Sequence, residues 1–250
     1  MVDMGRTCSG GKDSTYNMMK CEENGHEIVA LAHAHPPRTG AAEELDSFLF
    51  QTVGSSVVRL VGECMQVPYY EREIRGTAVS QTLDYAETLD DETEDLFALL
   101  SEVQRMHPDV SAVSVGAIFS SYQGNRVQHV CKRLGLEMLA YLWHRDQTEL
   151  LHEMINQGVH AVLIKVAALG LGSDDLGKTL GEMEPKLMSL HKKFGLHPCG
   201  EGGEYETLTL DCPLYKKRIV VDESMVVTHS KDDYAPVVYL NFKNVHLENK

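Results

Sequence analysis

Thr15-Tyr16-Asn17-Met18-Met19-Lys20-Cys21-Glu22-Glu23-Asn24-Gly25-His26-Glu27-Ile28-Val29-Ala30-Leu31-Ala32 carries the pattern that decides the fold. Thr15 to Asn24 is amphipathic and reads as a helix, Gly25 stops it, and the apolar run Ile28 to Ala32 follows. A glycine just past a helix adopts the left-handed conformation that ends it. The unit recurs at Asn125 to Leu134, Gly135 and Glu137 to Leu142, and again at Thr148 to Gln157, Gly158 and Val159 to Ala168. The apolar runs are short, β-rich and without strict alternation, which implies burial on both faces, as in a parallel sheet covered by helices. The chain therefore reads as α/β.

Between these units, Leu45 to Met65 looks helical and Pro68 to Ile74 looks like a strand. Glu92 to Met106 places Leu96, Leu99, Leu100 and Val103 at helical spacing, and Val110 to Ile118 supplies another buried strand. The acidic run Asp84 to Asp95 reads as a solvated loop and helix start. From Glu206 onward the segments Thr207 to Leu210, Arg218 to Val221, Met225 to Thr228 and Val237 to Phe242 alternate and predict an antiparallel region. The change of texture after Leu142 puts a boundary near Tyr141, giving a domain over 1–140 and a smaller α+β domain over 141–250. A length of 250 residues accommodates one large domain or two modest ones.

With 23 Lys+Arg against 37 Asp+Glu the net charge is −14, which repels phosphate backbones and favours positively charged substrates over nucleic acid. The 6 cysteines are scattered without a C-x-x-C pair, so zinc-ribbon, iron–sulfur and thioredoxin-type sites are disfavoured. They read as reduced thiols of a cytoplasmic protein. The apolar run Ala161 to Gly172 contains Lys165 and is short of the ~20 residues that cross a bilayer, and Met1 to Cys8 has no secretory h-region. No membrane partner is expected.

Cys8-Ser9-Gly10-Gly11-Lys12-Asp13-Ser14 precedes the first helix. Two glycines let backbone N–H groups turn toward an anion, and the helix N-terminus adds partial positive charge. Lys12 adds a full charge, the hydroxyls of Ser9 and Ser14 can donate to phosphate oxygens, and Asp13 could hold Mg²⁺. The four-residue spacer of a Walker A loop is missing. Elsewhere, His33-Ala34-His35 beside Pro36-Pro37 reads as a surface turn, and His152-Glu153 lacks the second His of a zincin because Asn156 stands there. Cys199 has no partnered His or elbow signal and reads as a structural or substrate-contacting thiol. Tyr85, Tyr122, Tyr141 and Trp143 read as core aromatics, some of which could line a cage for a quaternary ammonium.

The segment Ser9 to Ser14 resembles the pyrophosphatase loop of the N-type ATP pyrophosphatases. Gly116-Ala117-Ile118, Ser121-Tyr122-Gln123 and Arg126-Val127 resemble the second nucleotide-side motif of the diphthine–ammonia ligase family. Cys199-Gly200-Glu201-Gly202-Gly203-Glu204-Tyr205-Glu206-Thr207 is similar to that family's glycine–glutamate motif and is the most specific element. Tyr141-Leu142-Trp143 and Lys165 to Leu171 also look like family segments. Two departures stand out. Met1 to Cys8 carries Asp3, Gly5 and Arg6 where the family has an apolar strand, which predicts a segment that is poorly paired or has Asp3 and Arg6 near an open end of the sheet. Gly124 stands where the family has a basic residue.

The resemblance implies a Rossmann-like, HUP-type PP-loop domain that binds ATP and Mg²⁺, followed by a substrate-binding domain. It implies ATP-dependent amidation, by ammonia, of diphthine on translation elongation factor 2. Ser9, Gly10, Gly11, Lys12, Asp13, Ser14 and Gly116 would bind nucleotide, with the metal on Asp13. Lys12, Asp13, Glu201 and Glu204 would be catalytic. Tyr122, Gln123, Arg126, Gly202, Gly203, Tyr205, Glu206 and Thr207 would contact substrate. Glu201, Glu204 and Glu206 are open between Mg²⁺, ammonium and the diphthine cation. The alternatives are another PP-loop ATP pyrophosphatase, for example one acting on RNA, and a nucleotide-binding protein without catalysis.

Overall fold

The computed structural model describes residues 3–6 (backbone only), 9–38, 47, 49–230, 232 and 234–250. Its first half is a parallel sheet in the order β2-β1-β5-β6, formed by Glu27–Ile28, Asp3–Arg6, Val110–Ser114 and Glu137–Leu139. Helix α1 (Lys12–Glu23) packs on one face, where Tyr16, Met18 and Cys21 meet Ala112 and Leu139. Helices α3 (Glu92–Met106) and α4 (Ser121–Leu134) cover the other, where Leu96, Leu99 and Leu100 meet Val113, Val127 and Val130. Burying each such side chain contributes about 1.5–3 kcal/mol.

Several expectations are corrected. Of the two outcomes expected for Met1 to Cys8, poor pairing is overturned: Asp3–Arg6 forms β1, bonded to β2 on one side and β5 on the other. Parallel neighbours satisfy its backbone groups whatever its side chains, and 1, 2, 7 and 8 lie outside the described residues. The run Ile28 to Ala32 is divided between β2 and β3 (Leu31–His35), and β3 pairs in parallel with β4 (Tyr69–Glu73) as a separate two-stranded ribbon. His33 and His35 are therefore buried strand residues, not a surface turn. The helix expected over Leu45 to Met65 reduces to a 3₁₀ turn at Ser55–Val57 and α2 (Arg59–Met65), because Gly54 at φ 77° breaks the run, and 45, 46 and 48 lie outside the described residues. Asp91, Glu92 and Asp95 are not solvated. Asp91 caps α3, Glu92 accepts from Ser47 Oγ and Leu49 N, and Asp95 accepts from the backbone N–H groups of Arg75 and Gly76.

The second half is an antiparallel sheet in the order β8-β7-β10-β9, comprising Tyr205–Asp211, His160–Val166, Val237–Asn249 and Lys217–Ser230. β7, expected in a parallel sheet, pairs antiparallel with both neighbours. Its continuous apolarity has another cause. Ala161, Leu163 and Val166 pack with α5 (Gln147–Asn156) and α6 (Leu180–Phe194), while Val162 and Ile164 face a second core with Val53, Val57 and Phe242. Among the described residues no helix is long and apolar enough to cross a membrane.

Candidate active site

Loop 9–11 runs into α1, with Gly10 at φ +76° making the turn that an L side chain would strain. The loop leans on strand β8 of the second sheet. Lys12 N donates to Thr207 Oγ1 at 3.1 Å, Thr209 N donates to Gly10 O at 2.8 Å, and Thr15 and Thr209 share a hydroxyl bond. From the other side comes the end of β5. A Cβ on Gly116 would lie 2.6 Å from Ser14 N and 2.7 Å from the Asp13 carbonyl carbon, so only glycine lets that strand end abut the first turn of α1.

Lys12, which sequence alone suggests is exposed, is 2% exposed. Its ammonium donates to Asp13 Oδ2 at 2.8 Å and to the carbonyl of Cys199, and it lies 4.9 Å from the centroid of the Tyr205 ring. Burial alone would lower its pKa, but Asp13, with a smaller contribution from Glu201, holds it above the usual lysine value. The phosphate loop and the glycine–glutamate run thus meet at one cation.

The cleft around this junction is about 680 Å³, a size suited to a nucleotide plus a small acceptor. Its polar lining includes Ser9, Lys12, Asp13, Ser14, Glu201 and Glu206, and its apolar lining includes Ala32, Leu49, Phe50, Leu96 and Val115, which belong to one hydrophobic cluster. Gly116, Tyr122, Gln123, Gly202, Gly203, Tyr205 and Thr207 also line it. Asp13 Oδ1 is buried and lacks a hydrogen-bond partner among the described residues, and Mg²⁺ is commonly held by one or two carboxylates together with substrate phosphates, so this residue fits the metal.

Other expected site residues sit differently. Glu201 spends its carboxylate on three backbone donors, Ile118 N at 2.7 Å, Phe119 N at 2.8 Å and Ser120 N at 2.9 Å, at the entrance to α4. Burial raises its pKa in spite of the amides of Ile118 and Phe119. Glu204 does not line the cleft; it accepts from His197 N at 3.0 Å. Glu206 accepts from Lys165 Nζ at 3.1 Å. Tyr205 is buried, with its hydroxyl on the carbonyl of Pro198. Arg126 is fully buried outside the cleft, its guanidinium 3.3 Å from the Tyr122 ring centroid and 5.2 Å from that of Tyr85. That aromatic pair therefore already holds the protein's own cation. Cys199 donates its thiol to Gln147 O, and burial pushes it up to about 12, far from a thiolate nucleophile.

The structure adds residues that sequence reasoning missed. Gln51 bonds Thr207 O at 3.2 Å and lines the cleft, as does His33, whose Nε2 lies 2.7 Å from Ser55 Oγ. His197 takes Glu201 N on Nδ1 at 3.4 Å, and burial, opposed by Glu204, lowers its pKa to about 4. Asn17 ties α1 to β5 and β6 through Ser114 and Leu139 O. Only long-range contacts reveal these roles. Gly124 packs beneath Trp143, whose indole would lie 2.9 Å from an added Cβ, so the missing basic side chain makes room for that ring.

Two family models match the chain: the diphthamide synthase N-terminal domain over residues 5–138 and the diphthamide synthase C-terminal domain over residues 146–238. The chain is 55% identical over 244 residues to the diphthine–ammonia ligase of Homo sapiens, covering 97% of this chain and 91% of that protein. The Bos taurus protein of the same name matches to the same extent, 55% over 244 residues. A Schizosaccharomyces pombe diphthine–ammonia ligase is 55% identical over 235 residues, which are 94% of this chain but 38% of the relative.

Proposed function

The chain belongs to the diphthamide synthase family, and from that premise we propose that it is a diphthine–ammonia ligase, converting the carboxylate of diphthine on translation elongation factor 2 to the carboxamide of diphthamide with ATP and ammonia. A carboxylate is a poor electrophile because oxide is a poor leaving group. Its oxygen attacks the α-phosphorus of ATP, giving an acyl-adenylate and pyrophosphate. Ammonia then attacks the acyl carbon, AMP leaves, and one proton is released.

The observation that carries this reading is the buried Lys12 ammonium, held jointly by Asp13 of the phosphate loop and the Cys199 carbonyl of the glycine–glutamate run. A preorganised, buried cation stabilises the charge that develops on departing pyrophosphate. The hydroxyls of Ser9 and Ser14, 3.3 Å apart in the same loop, would turn to donate to phosphate oxygens, and Gly116 keeps the loop against β5. The clustered apolar lining of Ala32, Phe50 and Val115 suits a purine. Asp13 would hold Mg²⁺, which when bound adds neutralising charge at the phosphates. Residues 1–140 supply the ATP side and 141–250 the substrate side, with Gly202, Gly203 and Glu206 facing the acceptor and Tyr122 and Gln123 between the two. Glu201 and Arg126 act as positioning residues, and Glu204 supports the turn that carries Glu201. The described cysteines are free and buried, which accords with a cytoplasmic setting.

The test is release of pyrophosphate and AMP in the presence of diphthine-bearing elongation factor, with and without ammonium. Pyrophosphate release that requires the modified factor, and carboxamide formation that also requires ammonium, are expected. Release indifferent to the factor would overturn the substrate assignment.

A further inference from the structure

Residues 77–91 join β4 to α3 and fold back on themselves. Thr77 N donates to Asp90 O at 3.0 Å and Glu92 N donates to Thr77 O at 2.9 Å, so the ends of this connection are neighbours, as in an Ω-loop. Its inner side is tied to α3 and α4 by hydrogen bonds. The Arg126 guanidinium donates to the carbonyls of Ser80 and Thr82, Asp91 Oδ2 accepts from Ser80 N at 2.9 Å, and Asn125 Nδ2 donates to Leu83 O at 3.0 Å. The two terminal nitrogens of this buried guanidinium are spent on the carbonyls of Ser80, Thr82 and Tyr122, which ties the loop to α4 and fixes its shape there.

The outer side has the opposite character. Val79 is 52% exposed, Leu83 60% and Leu89 86%, three aliphatic side chains on one short, internally fixed loop. Asp84 and Asp90 are exposed beside them, as is Glu87, which pairs with Arg133 Nε at 3.4 Å, and the loop contains no Lys or Arg. Aliphatic groups held out to water at fixed positions offer apolar area to a partner. The loop also borders the cleft: Gln81 lines it, and Tyr122, another lining residue, donates its hydroxyl to Ser80 O at 3.3 Å.

We propose that loop 77–91 is the docking ledge for the protein that presents the diphthine side chain, its aliphatic residues covering an apolar flank of that protein and its acids meeting basic groups around the modified histidine. The proposal rests on the ligase reading above. A side chain that must enter the cleft brings its own backbone onto the rim, and this loop is rim. The trimethylammonium of diphthine adds fixed positive charge that an all-acidic loop attracts.

The full-length chain is assayed with diphthine-bearing elongation factor, comparing wild type with Leu83→Ser/Leu89→Ser and with Asp84→Lys. The serine pair should raise KM for the protein substrate about tenfold, on the scale of two apolar interface contacts. ATP affinity by calorimetry should stay within about twofold of wild type, since no nucleotide-side contact is touched. Asp84→Lys should raise KM as well, with the increase shrinking as salt is added. Wild-type activity with unchanged KM in both variants would overturn the docking assignment, as would a KM rise that only follows lost ATP affinity. A wild-type protein that does not amidate the factor would instead bring down the ligase reading and this ledge with it.

Discussion

The Lys12 ammonium lies 4.9 Å from the centroid of the Tyr205 ring, so the aromatic face nearest the phosphate loop is filled by the protein's own cation. Tyr205, expected from the sequence to meet the substrate, is thereby tied to the nucleotide side through Lys12. Tyr205→Leu should weaken ATP binding about five- to thirtyfold, the scale of a cation–π contact worth about 1–2 kcal/mol. Calorimetric titration with ATP checks this, and unchanged affinity would return Tyr205 to the acceptor side.

Lys12→Ala should lower pyrophosphate release about 10²- to 10³-fold, the effect of deleting one preorganised donor. Because the side chain is buried, the variant should also lose about 1–3 kcal/mol of stability, as Asp13 and the Cys199 carbonyl lose their partner. Denaturant unfolding alongside the assay separates the two effects. A variant as stable as wild type would contradict the buried placement.

Gly116→Ala forces a methyl within 2.6 Å of Ser14 N. Backbone cannot yield as a flexible side-chain end can, so the loop must shift. Destabilisation of about 1–3 kcal/mol and weaker ATP binding are expected. A melting curve and ATP titration matching wild type would show that β5 and α1 can part without consequence.

The pH dependence of stability should carry a signature of His197. Its folded pKa of about 4 lies below the ordinary value of 6.5, so between those limits the unfolded chain binds more protons. Stability contributed by neutral His197 is therefore present above pH 6.5 and is lost as pH falls toward 4. His197→Asn should flatten this part of the profile of melting temperature against pH. Glu201 works the other way: its raised pKa makes the native state the better proton binder just above the usual glutamate value, so its contribution declines as pH rises through that range.

Arg126→Lys keeps the charge but cannot reproduce a fork that reaches Ser80 O, Thr82 O and Tyr122 O together. It should expose residues 77–91 to limited proteolysis while leaving the cleft's ATP affinity within about threefold of wild type, because the guanidinium lies outside the cleft. Resistance to cleavage equal to wild type would show that the loop holds its shape without that anchor.

What was legible in the sequence was local. The phosphate loop opening α1, the amphipathic stripe of α3 and the glycine stops after α4 and α5 all depend on neighbours within a few residues, and Gly135 at φ 68° and Gly158 at φ 82° adopt the predicted conformation. Strand direction was not legible. The apolar run of β7 encodes burial on two faces, and an antiparallel sheet between two cores satisfies that as well as a parallel one. Burial of polar groups was equally hidden. Lys12 looks exposed until Cys199 and Tyr205 arrive from the far end of the chain, and Asp95 looks solvated until the N–H groups of Arg75 and Gly76 are found on it. The composition of Asp3 to Arg6 argued against an interior strand, yet backbone pairing on both sides put one there.

The bonds from Lys12 N to Thr207 and from Thr209 N to Gly10 O make the phosphate loop a seam between halves of the chain. A chimera that took its first half from one relative and its second from another would inherit a loop cut for a different β8. Residues near 9–12 and 205–209 therefore have to be exchanged as a set, and drift at either end of the seam is constrained by what stands at the other.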